Sequence, residues 1–244
     1  MTTIKLTIEY DGTAYAGWQR QPNHNTIQAV LENALFQITQ QPTPVVGAGR
    51  TDSGVHALGQ VVSFHSDKSL TVTQWAPALN SYLPKDITVL SSEQAPDDFH
   101  ARFSAKGKVY QYRITTQASP PALDRHRAWH FPHQLDRNAM HQAIPTFLGI
   151  HDFTSFRGQR SQTKNPVCTL SHFSLHEESS SFIIHIEGDR FLKHMVRAIV
   201  GTLVEVGQHK RSPHTIQDIL QAKDRRAAGR TAPPHGLYLV EVRY

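Results

Sequence analysis

The feature that most constrains the fold of this chain is an order of predicted elements that occurs twice. Alternating apolar residues at 4–10 indicate a half-buried strand, and apolar residues at helical spacing over 27–38 indicate an amphipathic helix after it. Each half then completes the order strand–helix–strand–strand–helix–strand. Two such ferredoxin-like units predict an α+β fold with mixed and antiparallel sheets, two pseudo-symmetric halves and a cleft between them.

Apolar periodicity and turn residues place the remaining elements. In the first half we predict the strand 4–10, the helix 27–38, extended runs at 44–48 and 58–65, a helix at 74–82 and a strand at 86–92. In the second half we predict strands at 109–114, 167–175, 181–187 and 237–244, helices at 136–148 and 191–206, and a further helix after Ser212-Pro213. The predicted domains are 1–105 and 106–244.

The charge of the chain is distributed unevenly. The 244 residues contain 25 Lys+Arg and 20 Asp+Glu, a net charge of +5. Residues 1–105 hold six basic and nine acidic residues, whereas 106–244 hold nineteen and eleven, with the densest basic run between Arg190 and Arg230. A one-sided basic stretch is typical of surfaces that neutralise phosphates, although any single run can equally be a solvated helix face.

Composition excludes several other classes of protein. A single Cys excludes an internal disulfide and a Cys-rich metal framework, and it fits a reducing compartment. The 16 His form no His-Glu-x-x-His motif, so we expect no metal. The N-terminal residues alternate in polarity and contain no long apolar run, so we expect a cytoplasmic protein with no membrane contact.

The segment Val45–Ala57 is the strongest candidate for chemistry. A dinucleotide-binding fingerprint requires glycine where Asp52 stands, and a phosphate-binding loop requires Gly-Lys-Ser/Thr, so both nucleotide sites are excluded. What remains is Asp52 between glycines, with Arg50 two positions before it. Glycines allow tight turns, and the arginine favours the ionised carboxylate. Asp52 is therefore a candidate nucleophile or stabilising anion. The alternative is a structural ion pair in a turn.

Other candidate residues combine positive charge with aromatic rings. Tyr110 and Tyr112 share one face of a predicted strand that also carries Lys108, a pattern that suits stacking on unpaired bases or simple core packing. Arg197 lies at the edge of an apolar helical stripe, where it can reach water or turn inward to a carboxylate. Further candidate substrate-binding residues are Arg20 beside Trp18, Arg157 in the polar connection 157–166, and Lys193 in the basic run.

Together these segments resemble the tRNA pseudouridine synthase A family. The resemblance spans nearly the whole chain in the family's order, and the segment around Asp52 is its most specific part. The matching segments are Tyr10-Asp11-Gly12, Gly17-Trp18-Gln19, the run 47–57, Phe99-His100-Ala101-Arg102, the run 108–113, His151-Asp152-Phe153, Met195-Val196-Arg197 and Ala232-Pro233.

The resemblance implies an isomerase that converts uridine to pseudouridine on the 3′ side of the tRNA anticodon stem-loop. It implies a homodimer with a basic RNA-binding cleft, no metal and no organic cofactor. By the same resemblance, Asp52 looks like the catalytic carboxylate and Arg197 like its guanidinium partner. Arg50 looks like the residue that holds the target nucleotide out of the stack, and Tyr110 like the ring that stacks on the target uracil.

Two questions stay open at the level of sequence. The residues do not distinguish whether Asp52 attacks the sugar, attacks the base or removes the C2′ proton. They also leave two alternative functions. One is a non-catalytic tRNA-binding protein in which Asp52 is structural. The other is a carboxylate-dependent nuclease, which would need a cluster of acids for metal that the region around Asp52 does not supply.

Overall fold

A computed structural model describes residues 1–158 and 163–244 of the chain. It divides into two compact units, unit 1 (Met1–Lys106 with Tyr238–Tyr244) and unit 2 (Gly107–Leu237). We predicted a division near residue 105 and placed the last strand in the second half. In the structure that strand is grouped with unit 1, because its backbone pairs with a strand of the first half.

Residues 1–158 and 163–244 form ten strands and five α-helices. The strands are β1 (Thr2–Tyr10), β2 (Val46–Gly47), β3 (His56–Ser66), β4 (Ile87–Ala95), β5 (Gly107–Thr115), β6 (Trp129–His130), β7 (Gly149–Asp152), β8 (Val167–Glu178), β9 (Ser181–Gly188) and β10 (Leu237–Arg243). The helices are α1 (Ile27–Thr39), α2 (Trp75–Asn80), α3 (Arg137–Ala143), α4 (Met195–Gly207) and α5 (Thr215–Ala222).

Unit 1 is a mixed sheet with two helices. Its strand order is β4-β1-β3-β10, and β2 pairs with β3. β1 is antiparallel to both of its neighbours, whereas β10 is parallel to β3. Alternate residues of β1 are buried as the sequence pattern predicts, and α1 begins where the Thr26 hydroxyl accepts from the Ala29 N–H (3.4 Å).

Unit 2 contains the strand order β5-β9-β8-β7, in which all three pairings are antiparallel, and β6 adds in parallel to β5. Its core is built around α4, in which every residue is buried except Arg197 and Glu205. A helix that is apolar on all sides must be enclosed by protein. The predicted α+β class with mixed and antiparallel sheets is confirmed.

Three of the predicted elements differ from the structure for reasons that are local. The helix predicted at 191–206 begins only at Met195, because His194 adopts a left-handed conformation (φ 62°). The helix predicted at 136–148 ends at Ala143 and continues as a 3₁₀ turn that contains Pro145, a residue with no N–H to donate. Of the extended run predicted at 44–48, only Val46–Gly47 pairs as a strand.

The buried hydroxyl of Thr202 ties α4 to the chain that follows α5. It donates to the carbonyl oxygen of Ala198 (2.8 Å) and accepts from the N–H of Gly229 (2.9 Å), and Thr202 is fully buried. The second bond fixes the segment 229–233 against the middle of α4.

We expect Thr202→Val to lower the free energy of unfolding by about 1–3 kcal/mol, because it leaves the buried Gly229 N–H without an acceptor. Urea unfolding followed by circular dichroism measures this loss. Thr73→Val, at an exposed position of unit 1, is the control and should change stability by no more than about 0.5 kcal/mol. Equal stabilities of Thr202→Val and the wild type would contradict this role of the hydroxyl.

Candidate active site

In unit 1, the loop that carries Asp52 connects β2 to β3. Val55 at the end of this loop is buried, whereas Asp52 itself is half-buried. The Val55 N–H donates to the Asp52 carbonyl oxygen (3.1 Å), which closes a tight turn, and Gly54 within that turn has a positive φ of 76°. The turn therefore requires a residue that tolerates left-handed backbone between the aspartate and the strand.

Segments from the start of the chain pack against this loop at van der Waals contact. A Cβ atom added at Gly12 would lie 2.0 Å from the carbonyl oxygen of Val55, and one added at Gly17 would lie 2.6 Å from that of Thr51. A Cβ at Gly47 would lie 2.5 Å from the ring of Trp18. The short motifs of the first half are therefore parts of one assembly around Asp52.

Hydrogen bonds fix the loop on both sides of Asp52. On the preceding side, the Tyr10 and Thr51 hydroxyls bond at 2.8 Å, and the Trp18 N–H donates to the Thr51 carbonyl oxygen (3.1 Å). On the following side, the carbonyl oxygen of Tyr15 accepts from the Ser53 hydroxyl (3.1 Å) and the Gly54 N–H (3.3 Å). The main chain at Asp52 is held in place before any ligand arrives.

Tyr10 bonds to this loop through its hydroxyl and Tyr15 through its carbonyl group, and both side chains are buried. Burial raises the pKa of Tyr10 to about 12, against the opposing effect of its hydrogen bonds with Thr51 and Gln60. Burial likewise raises the pKa of Tyr15, whose hydroxyl donates to Asp86 (2.7 Å) at the start of β4. Both rings stay neutral at physiological pH and act as hydrogen-bonding groups.

The two predicted substrate-binding cations of unit 1 occupy different surroundings. Arg50 is exposed on the loop. Arg20 forms an ion pair with Glu32 of α1 (2.8 Å) and keeps about half of its side chain exposed, 54%. Trp18 is buried, so its ring packs in the core of unit 1 and is not an exposed ring beside Arg20.

In unit 2, the guanidinium group of Arg197 is oriented by the segment after α5. Its Nε–H donates to the carbonyl oxygen of Ala232 (2.8 Å), and the Ala232 N–H donates back to the carbonyl oxygen of Arg197 (2.9 Å). The Tyr112 hydroxyl donates to the next carbonyl, that of Pro233 (2.8 Å). Three motifs that are far apart in sequence thus meet at Arg197.

The same segment is held at its other end by Glu205. The Glu205 carboxylate accepts from the Arg230 N–H (3.0 Å) and from the Arg211 side chain (2.5 Å). A Cβ at Gly201 would lie 1.8 Å from the Arg230 carbonyl oxygen. Arg197 and Glu205 are the two residues of α4 that are not buried, and both of these charged positions serve to hold residues 229–233.

Tyr110 lies on β5 with its ring packed inside unit 2. It is 8% exposed and meets Phe191 edge-on, with ring centroids 4.9 Å apart. Tyr112, on the same face of the strand, is fully buried. In this structure Tyr110 therefore packs at the margin of the core, next to the residues that lead into α4.

Arg157 and Lys193 belong to neighbouring segments of unit 2. The N–H of Gly158 donates to the carbonyl oxygen of Lys193 (2.7 Å), and the Arg157 guanidinium donates to the carbonyl oxygen of Thr163 (3.1 Å). The connection 157–166, which we interpret as a substrate-facing loop, has residues 159–162 outside the described part of the chain.

Sequence reasoning missed the residues that support this site. The carbonyl group of Tyr15 carries no signal in sequence, because any residue supplies one. Glu205 could have been found, since it is the one acidic residue within the apolar run 195–207. Among the residues the structure describes, no cluster of His, Cys, Asp or Glu could hold a metal, and no helix is long and apolar enough to cross a membrane.

Comparison with known proteins gives full-length matches. The chain is 47% identical over 244 residues to tRNA pseudouridine synthase A of Acetivibrio thermocellus, with 100% of both chains covered. It is 48% identical over 242 residues to tRNA pseudouridine synthase A of Ehrlichia chaffeensis, with 98% of this chain and 99% of that protein covered. Residues 6–104 and 143–244 match a sequence family described as tRNA pseudouridine synthase.

The support that Glu205 gives to residues 229–233 predicts a pH dependence of stability. Burial would raise the pKa of Glu205, but hydrogen bonds from Arg211 and Arg230 and the charges of both arginines lower it below its ordinary value of 4.5. A carboxylate with a lowered pKa stabilises the fold above the pKa of the unfolded chain, and this contribution is lost as the pH falls through the lower, folded value.

We therefore expect Glu205→Gln to be less stable than the wild type by about 1–3 kcal/mol at pH 7, with the difference shrinking as the pH falls below 4.5. Urea unfolding between pH 7 and pH about 3 measures both variants. Glu178→Gln, at the exposed end of β8, controls for the change in net charge. A stability difference that stays constant over this range would rule out the ionised carboxylate as its source.

Proposed function

The chain belongs to the tRNA pseudouridine synthase family of isomerases, and from this premise we propose that it converts uridine to pseudouridine in the anticodon stem-loop of tRNA with Asp52 as the catalytic carboxylate. The observation that carries the proposal is the Asp52 loop. A half-buried carboxylate stands on a turn whose backbone is fixed by hydrogen bonds and glycine contacts on both sides.

The isomerisation breaks the N1–C1′ bond of uridine and forms a C5–C1′ bond. N1 gains a proton and C5 loses one, so no oxidant, second substrate or net water is consumed. A carboxylate at C1′ stabilises positive charge on the sugar or bonds to it, as in glycosidases. Attack on the base and removal of the C2′ proton are the other two roles open to Asp52. In each of them the anion must be held at a fixed position.

Arg197 is proposed as the guanidinium partner of the reacting carboxylate. The support for this role is its orientation, because the bond from Nε to the Ala232 carbonyl directs the guanidinium plane before substrate binds. A guanidinium group suits this task because it remains charged and donates to both oxygens of a carboxylate.

The substrate uridine must leave the base stack before its glycosidic bond can be reached. Extrusion of a base costs a few kcal/mol. Stacking of the extruded base on one aromatic ring offsets about 1–3 kcal/mol of this unfavourable free energy. We propose Tyr110 as this ring and Arg50 as the group that holds the extruded nucleotide. Arg20, Arg157 and Lys193 are proposed contacts to the tRNA backbone, where cations neutralise phosphates.

Asp52→Asn removes the negative charge of Asp52 and keeps the size of the side chain. We expect this variant to fold and to bind tRNA as the wild type does, while pseudouridine formation falls by at least about three orders of magnitude, the range seen when a central catalytic group is removed. Release of tritium from tRNA labelled at uridine C5 measures turnover, and filter binding measures affinity.

Asp97→Asn, an exposed acid of unit 1, is the matched control and should keep full turnover. Binding without turnover by the wild type would instead favour the non-catalytic tRNA-binding protein. Fragmented tRNA, suppressed by a chelator, would favour the nuclease. Turnover by Asp52→Asn at the wild-type rate would refute the role of Asp52.

Tyr110→Phe and Tyr110→Ala separate stacking from other roles of this ring. We expect Tyr110→Phe to retain tRNA affinity, because the ring supplies the stacking, and Tyr110→Ala to bind about 5- to 150-fold more weakly, equivalent to about 1–3 kcal/mol. Affinities for an anticodon stem-loop RNA test this, with unfolding curves to correct for any loss of core packing. Equal affinities of the two variants would leave Tyr110 as a core residue alone.

The family resemblance also implies a homodimer, and the composition indicates a cytoplasmic location; both are part of the proposal. Sedimentation equilibrium of the purified protein tests the oligomeric state: a mass of twice 27.4 kDa is expected.

A further inference from the structure

Gln60 is a fully buried polar residue on β3, beneath the Asp52 loop. Its Nε2 group donates to the carbonyl oxygen of Gly49 (2.8 Å), and its side chain is also hydrogen-bonded to the Tyr10 hydroxyl. Within residues 1–158 and 163–244, its Oε1 atom has no hydrogen-bond partner. The NH₂ group of the Gln60 amide therefore faces the Asp52 loop.

The two groups that Gln60 contacts both lead to Asp52. Gly49 lies three residues before Asp52, and its carbonyl group is held at a fixed distance from β3 by the Gln60 amide. Tyr10 bonds through its hydroxyl to Thr51, the residue next to Asp52 (2.8 Å). Gln60 thus fixes the loop directly at the Gly49 carbonyl group and, through Tyr10, at the side chain of Thr51.

Stability alone does not account for a glutamine at this position. A buried oxygen without a partner is costly, and native proteins contain few of them, which are concentrated where function requires a specific geometry. An apolar side chain of the same length, such as Met, would remove Oε1 from the interior. In exchange it would leave the Gly49 carbonyl oxygen without the Gln60 donor, so the number of unpaired acceptors would not rise.

We propose that Gln60 is a positioning residue for Asp52: its buried amide holds Gly49 and Tyr10, and these hold the backbone that places the carboxylate. The effect on turnover rests on the proposed function, whereas the effect on the loop does not. A displacement of about 1 Å in a reacting group is enough to lower a rate by about two orders of magnitude.

The test compares Gln60→Met with the wild type by three measurements. We expect the single-turnover rate of pseudouridine formation to fall about 10- to 100-fold. The affinity for tRNA should stay within about twofold, since the change lies beneath the loop rather than on its surface. The urea midpoint should stay close to that of the wild type.

Ser63→Ala is the matched control, because it removes a buried polar group from the same strand at a distance along β3 from the loop. The Ser63 hydroxyl accepts from the N–H of Ala101 (3.1 Å). Loss of that acceptor should lower the urea midpoint and leave the single-turnover rate unchanged. Gln60→Met is thus expected to lower the rate and not the stability, and Ser63→Ala is expected to lower the stability and not the rate.

Amide hydrogen exchange supplies a readout that needs no turnover. Gln60→Met should speed the exchange of the Gly54 and Val55 amides by at least about fivefold, while exchange in the middle of β3 stays slow. If the wild type makes no pseudouridine but this exchange effect is present, the proposed function fails and the positioning role of Gln60 stands. A wild-type rate in Gln60→Met, unchanged exchange in the loop, or a lowered urea midpoint that accounts for the loss of rate would overturn the proposal.

Discussion

The contact on which the rest of this structure depends is the close packing of the N-terminal segments against the loop that carries Asp52. Backbone carbonyls of Thr51 and Val55 approach Gly17 and Gly12 so closely that no side chain fits between them. Packing at this density transmits any displacement, because the surrounding atoms have no free volume to absorb it. The position of one carboxylate is therefore determined by residues about forty positions earlier in the chain.

In unit 2, hydrogen bonds to a buried helix hold the segment 229–233 in place. All of α4 is buried apart from Arg197 and Glu205, and both residues hold the segment 229–233. The helix is a rigid support for the segment. The Ala232 carbonyl group of the segment orients the Arg197 guanidinium. In each unit a candidate functional side chain stands on backbone that is fixed by partners distant in sequence, as expected of sites that must be preorganised.

The sequence predicts the position of elements whose burial follows a simple period. It does not predict element boundaries that tertiary contacts determine. β1 and α1 lie close to their predicted positions because each has one buried face. The apolar pattern continues through Phe191 and Leu192 and so predicts an earlier start for α4, whereas the left-handed His194 delays the helix to Met195. The motif around Asp52 is visible in sequence. The partners that support it are not, because backbone carbonyls and a single buried glutamine produce no pattern.

We propose that this fixed carboxylate takes part in the conversion of uridine within intact tRNA. The most direct measurement is a nucleotide-resolution map of pseudouridine in unmodified tRNA incubated with the purified protein alone. We expect new pseudouridine on the 3′ side of the anticodon stem-loop, with the tRNA chain unbroken. A map identical to that of untreated tRNA, at protein concentrations that saturate binding, would contradict it.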